Sequence, residues 1–138
     1  MPETTQLTQL IVEFYEKLSS WEHSVVRGQG ITLPQVHALE ILGTHTALRM
    51  KELAERMGVT TGTLTVLADR LEKADLIRRR PHETDRRSIL VELTEKGHAV
   101  YTEHDQLHMQ LTRDITVGMS KDEQTSLILA LEKMNKEF

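Results

Sequence analysis

The chain has 138 residues, 17 of them basic and 21 acidic, a formal net charge of -4 and no cysteine. That length fits one domain or one compact subunit of an oligomer. The lack of thiols excludes disulfides, thiol redox sensing and thiolate metal sites, and the net acidity argues against indiscriminate nucleic-acid binding. No stretch is apolar enough to span a bilayer and no signal peptide opens the chain, so the expected location is cytoplasmic and no membrane partner is expected.

In chain order, Leu7, Ile11, Phe14, Leu18, Trp21 and Val25 recur at steps of four and three. This predicts a long helix over 4–28 with a single apolar seam. Thr32 and Gln35 have capping-box spacing, and Pro34 is tolerated in a first turn, so a second helix opens there and carries Val36, Leu39, Ile41 and Leu42. A short helix follows, burying Met50, Leu53, Ala54 and Met57, with Gly58 suited to a left-handed stop. Thr60 then caps a helix that buries Leu64, Leu67 and Leu71. Two helices joined by a short turn containing glycine form a helix-turn-helix, whose second helix enters the major groove with its N-terminus leading. Thr60, Thr61, Gly62, Thr63 and Thr65 make up that leading end, and their hydroxyls can bond phosphates and either kind of base edge. Arg70, further along, can reach the backbone.

Residues 77–80 and 88–93 read as two strands around the polar loop 81–87. The loop holds Asp85, Arg86 and Arg87, and adjacent arginines at a hairpin tip suit the narrow, electronegative minor groove. Alone, the hairpin could be a solvated surface ribbon. Directly behind a helix-turn-helix it becomes a wing, and double-stranded DNA becomes the expected partner. Charge agrees locally, because residues 49–90 hold ten of the basic residues against seven acidic ones.

Thr94 can cap another long helix, with Val100, His104, Leu107, Leu111 and Ile115 on its stripe and Gly118 at its end. Ser120 and Glu123 form a second capping box before Leu127, Leu131, Met134 and Phe138. The expected fold is mainly α with a small β-wing: a winged helix-turn-helix head over 32–94 and a helical dimerisation region, 4–28 and 95–138, within one domain over 1–138. Apolar stripes at both ends exceed what one head needs, which predicts a homodimer and hence palindromic DNA.

In this order of elements the chain resembles the MarR family of bacterial regulators over almost its whole length. The matching segments are Thr32-Leu33-Pro34-Gln35, the turn from Leu53 to Val59, the run from Asp69 to Ile77, and Asp85-Arg86-Arg87 followed by Leu93-Thr94-Glu95-Lys96-Gly97. The resemblance implies a homodimer on palindromic operators, usually a repressor, gated by a small ligand or metal. It also implies that Asp85 orients Arg87 for the minor groove. Members that sense peroxide use a cysteine, which this chain lacks.

Seven histidines are many for this length. His82 lies in the wing, as a phosphate contact or a solvated loop residue, and His45 and His98 read as surface or core-edge residues. His104 and His108 stand one helical turn apart, the spacing that presents two imidazoles to one metal. The fragment 104–108 looks like a metalloprotease motif with Asp in place of the general-base Glu, which leaves a metal-dependent enzyme using His104 and His108 as the alternative function. The missing glutamate and the lack of a surrounding catalytic domain argue against it, and no catalytic residue is assigned. A helical scaffold without DNA function would leave the basic wing unexplained. The histidines are similar instead to those of the zinc-sensing AdcR-like branch of the family. That likeness implies His37, His104 and His108 as ligands, with Glu22 or His23 from the first helix, and Zn as the cofactor suggested. A pair of amphipathic histidines at a helix interface is the competing reading. Glu103 matches a residue of that branch's second site, but the cysteine of that site is missing.

Overall fold

Each helix start that the sequence marks with a hydroxyl residue carries its side-chain cap in the computed structural model, which describes residues 2–138. Thr32 Oγ1 accepts from Gln35 N at 3.3 Å, Thr60 Oγ1 from Thr63 N at 3.1 Å, Thr94 Oγ1 from Gly97 N at 3.0 Å and Ser120 Oγ from Glu123 N at 3.2 Å. Such caps satisfy donors that a helix cannot pair internally, which is why they mark its boundary in sequence. The elements are α1 (Pro2–Gln29), α2 (Leu33–Gly43), β1 (Leu48–Arg49), α3 (Met50–Met57), α4 (Thr61–Lys73), β2 (Ile77–Pro81), β3 (Ile89–Leu93), α5 (Glu95–Ile115) and α6 (Lys121–Lys136). The mainly α architecture with a β-wing is thus observed.

The three strands form an antiparallel sheet in the order β1-β3-β2, with Leu48 opposite Val91 and Arg79 opposite Val91 on the other side. Sequence reading missed β1, since two residues are too short to show alternation. The pairing creates it, because Val91 and Leu48 are both buried on the core face. Gly58 stops α3 at φ +69°, the left-handed position expected of it. Asp75 adopts φ +61° between α4 and β2, one of the few residues besides glycine that tolerates this region.

The chain divides into two compact units, one up to Thr102 and one from Glu103 onward. In the first, Leu39 and Leu42 of α2, Leu53 of α3, Leu64 and Leu71 of α4, and Ile77 and Val91 of the sheet form a shared core. Three details differ from the sequence reading. Leu67 is only partly buried, and Ala68 fills the central position on α4. Steps of three-then-four and four-then-three both fit helical periodicity, and only the neighbours choose between 64-67-71 and 64-68-71. Met50 and Met57 lie at the rim of the core rather than within it. On α1 the buried valine is Val26 rather than Val25, while Leu7, Ile11 and Phe14 of the seam are 57%, 43% and 54% exposed.

In the second unit, α6 has no buried residue, and Leu127, Leu131 and Met134 stand on its open surface. Among the described residues no helix is long and apolar enough to cross a membrane.

Candidate nucleic-acid interface

The leading end of α4 is exposed from Thr61 to Thr63. Its hydroxyls are not equivalent. Thr65 Oγ1 donates to the Thr61 carbonyl at 2.8 Å, and Thr63 Oγ1 accepts from Thr60 Oγ1 at 3.1 Å. Thr65 therefore spends its proton inside the helix, whereas Thr63 keeps its own for a partner. Gly62 opens this surface, with only Thr60 Oγ1 (3.9 Å) near the place a Cβ would occupy. Arg70 projects from the same helix and is exposed.

The wing is tied to this helix by one arginine. Arg79 on β2 donates through Nη2 to Asp69 Oδ1 at 2.7 Å and Glu72 Oε1 at 2.8 Å, while its backbone N–H donates to Glu72 Oε2 at 3.1 Å. Side-chain hydrogen bonding from Arg79, then its backbone N–H, holds the Glu72 carboxyl below its ordinary value. A carboxyl whose folded pKa is depressed adds stability above its unfolded pKa and loses it as pH falls through the folded one. Glu72→Gln should therefore melt roughly 3 °C below wild type at pH 7, with the gap closing below about pH 4. The step is kept small because Glu72 is 41% exposed. Thermal melts from pH 7 to 3 check this: a gap that persists at pH 3 would mean that glutamine disturbs packing and not charge.

Glu92 on β3 serves the wing itself. Burial would raise its pKa, but hydrogen bonds from Arg80 Nε (2.9 Å) and Arg78 Nε (3.2 Å) outweigh it and leave the carboxyl lowered. Arg78, Arg79 and Arg80 are thus paired inside the head. Counting charge over 49–90 treats them like the tip arginines, and the structure separates the two groups. Arg86 and Arg87 stand exposed at the tip, the Arg87 side chain 96% so.

Asp85 acts on the tip mainly through the backbone. Its Oδ1 accepts the Arg87 N–H at 3.1 Å and its Oδ2 the Ser88 hydroxyl at 3.0 Å, whereas Arg87 Nε lies 3.8 Å away. The Arg87 N–H first, then Ser88, hold the Asp85 carboxyl below its usual range. Between helix and wing runs a groove lined by Arg49, Lys51, Thr61, Thr65, Arg79 and Arg87. Sequence reading included Arg49 and Lys51 only in a charge count. Their place just before and within the first turn of α3 was the available signal.

A second concavity lies within the first unit, about 480 Å³, where Tyr15, Leu18 and Glu22 of α1 face Val36, His37 and Glu40 of α2. Glu22 and Glu40 have carboxylate oxygens within 4.8 Å of one another. His23 points elsewhere, its Nδ1 donating to the Ser19 carbonyl at 2.8 Å. His37 lines this cleft and is exposed. Glu40 was missed in the sequence, although it stands three residues after His37 on the same helical face. In the second unit, His104 is fully buried and His108 half-buried, with ring centroids 4.8 Å apart in edge-on contact. Of the remaining histidines, His45 donates Nδ1 to the Ile41 carbonyl at 2.8 Å and His98 lies beside Tyr101, with ring centroids 6.0 Å apart.

Comparison with known proteins agrees with this geometry. Residues 31–89 match the sequence profile of the MarR family. The uncharacterised HTH-type transcriptional regulator YfiV of Bacillus subtilis (strain 168) is 32% identical over 114 residues, covering 78% of this chain and 71% of that protein. A MarR family protein from Bacillus stearothermophilus superposes with a TM-score of 0.89 at 25% identity, covering 97% of this chain and 94% of that one. A MarR mutant from E. coli complexed with operator DNA superposes with a TM-score of 0.74 at 27% identity, covering 96% and 95%.

Proposed function

We propose that this chain, which belongs to the MarR family of transcriptional regulators, is a homodimeric repressor that reads palindromic operator DNA and is gated by a bound effector. The observation that carries the reading is the groove with Thr61 on one side and Arg87 on the other, floored by further cations. A recognition helix in the major groove with an arginine-tipped wing in the adjacent minor groove would use both sides at once. The large apolar residues left exposed on α1, and separately those on α6, support a two-fold partner, since so many apolar side chains in solvent on a chain of this size ask to be covered. The matched relatives are transcriptional regulators, which points against catalysis by His104 and His108. A regulator bound to operator DNA would work in the cytoplasm, and the lack of a membrane-crossing helix among the described residues is consistent with that.

For the effector, Zn²⁺ is the first candidate and a small organic molecule in the α1–α2 cleft the second. His104 and His108 would be the imidazole ligands and Glu22 a carboxylate ligand. His37 would complete the set by family likeness, with Glu40 its competitor by position in the cleft. Two imidazoles with carboxylate oxygen suit zinc, which such sites bind in tetrahedral geometry. Bound zinc would supply a fixed charge and fixed angles among these side chains, changing which conformation of the protein is favoured.

The test is selection of bound duplexes from a random library, with sedimentation of the protein and metal titration. The expected result is a dimer that enriches two inverted half-sites, spaced by about one helical turn of DNA. The wild type should bind zinc more tightly than micromolar and its operator affinity should respond. His104→Ala should lose both. No enriched duplex would overturn the DNA reading. DNA binding without zinc binding would leave the organic effector in its place.

A further inference from the structure

The wing loop contains one interaction that its arginines do not explain. His82 Nδ1 lies 3.1 Å from the backbone N of Asp85 and 3.2 Å from that of Thr84, with Thr84 Oγ1 at 3.3 Å. On its other edge, Nε2 lies 3.5 Å from Arg49 Nη2. These contacts choose the tautomer. A ring nitrogen facing two N–H donors must offer its lone pair, so Nδ1 carries no proton and the neutral ring carries it on Nε2. The opposite tautomer would gain one contact at the limit of hydrogen-bond length and lose two good ones.

We propose that His82, as its Nε2–H tautomer, is the positioning residue of the wing tip: its Nδ1 orders the loop that aims Arg86 and Arg87. The inference rests on the DNA-binding reading for its functional consequence, but not for its structural one.

Accounting for the loop's donors shows why the residue matters. His82 takes the N–H groups of Thr84 and Asp85, Asp85 takes that of Arg87 through its carboxylate, and the Asp85 carbonyl takes that of Ser88 at 3.0 Å. The Ser88 carbonyl in turn accepts the His82 N–H at 3.0 Å, closing the hairpin. Asp85 can hold Arg87 in place only if its own backbone is held, and His82 holds it. A short polar side chain that accepts from N–H groups two and three residues onward is the usual way to fix such a turn, a role normally taken by Asp or Asn. The charged residues that meet the ring are Arg49 at the end of β1, across Nε2, and Asp85 in the loop, through its backbone N–H at Nδ1. Arg80 is engaged with Glu83 at 3.9 Å and with Glu92.

Three variants separate the two ring nitrogens. Asparagine carries an acceptor where Nδ1 stands, glutamine carries its polar atoms one bond further out, and alanine has neither. Backbone amide exchange of Thr84 and Asp85 is measured by NMR without DNA, and binding to an operator duplex by gel shift at fixed salt. His82→Ala and His82→Gln should exchange these amides faster and bind about tenfold more weakly, while His82→Asn stays within about twofold of wild type. Nitrogen-15 NMR of the wild-type ring should show Nε2 protonated and Nδ1 bare. A ring protonated on Nδ1, unchanged exchange in His82→Ala, or rescue by glutamine but not asparagine would each overturn the proposal. Failure of the wild type to bind any duplex would overturn the DNA reading alone, because exchange and ring NMR still decide the role of His82.

Discussion

Alanine at Arg87 is expected to weaken operator binding by roughly tenfold to a hundredfold while the melting temperature stays that of the wild type. The guanidinium is 96% exposed and its nearest carboxylate atom is 3.8 Å away, so folding gains little from it. On the proposed reading its value would appear only when DNA arrives, because the minor groove concentrates negative potential and rewards an inserted arginine. Asp85→Ala should act in the same direction by a different route. It removes the acceptor of the Arg87 N–H and the Ser88 hydroxyl, so the tip loses order before it meets DNA. Asp85→Asn keeps an acceptor and should lose less. Gel-shift titration at one salt concentration, with thermal melts of each variant, checks the set. Wild-type affinity in Arg87→Ala would show that the wing does not read the groove.

The second large effect is on the fold. A Cβ at Gly97 would lie 1.9 Å from the Leu76 carbonyl oxygen and 2.8 Å from its carbon. Both are backbone atoms, so no side chain can turn aside to make room. The same carbonyl accepts the Thr94 N–H at 3.2 Å, and Gly97 N donates to Thr94 Oγ1, so the start of α5 is held hard against the turn between α4 and β2. Gly97→Ala must separate these elements and should cost about 3 kcal/mol, a fall of around 10 °C in melting temperature. Gly118→Ala is the control, because nothing stands within 4 Å of its Cβ position. Thermal melts of the two variants decide the matter: equal stabilities would refute the close-approach account of Gly97.

The particular residues show what could be read without coordinates. Caps at Thr32, Thr60, Thr94 and Ser120 are local chemistry, each a hydroxyl within three residues of the donor it serves, so their positions in the chain are enough. The same holds for Gly58 at φ +69° and for the two longer strands, whose pattern and turn residues are contiguous. With them came the helix-turn-helix, the wing and the tip arginines.

Where the outcome depends on what lies across the molecule, periodicity could not choose. Ala68 over Leu67, Val26 over Val25 and the two-residue strand β1 were settled by neighbours far away in sequence. So were the pairing of Arg79 with Asp69 and Glu72, which separates structural arginines from those at the tip, and the placing of Glu40 beside Glu22. The sequence by itself determined the kind of protein, because caps, turns and stripes are written in residues close together along the chain. The tertiary structure alone decided which members of each stripe are buried and which charges are spent on the fold, because burial and ion pairing are properties of two surfaces and a chain records each surface separately.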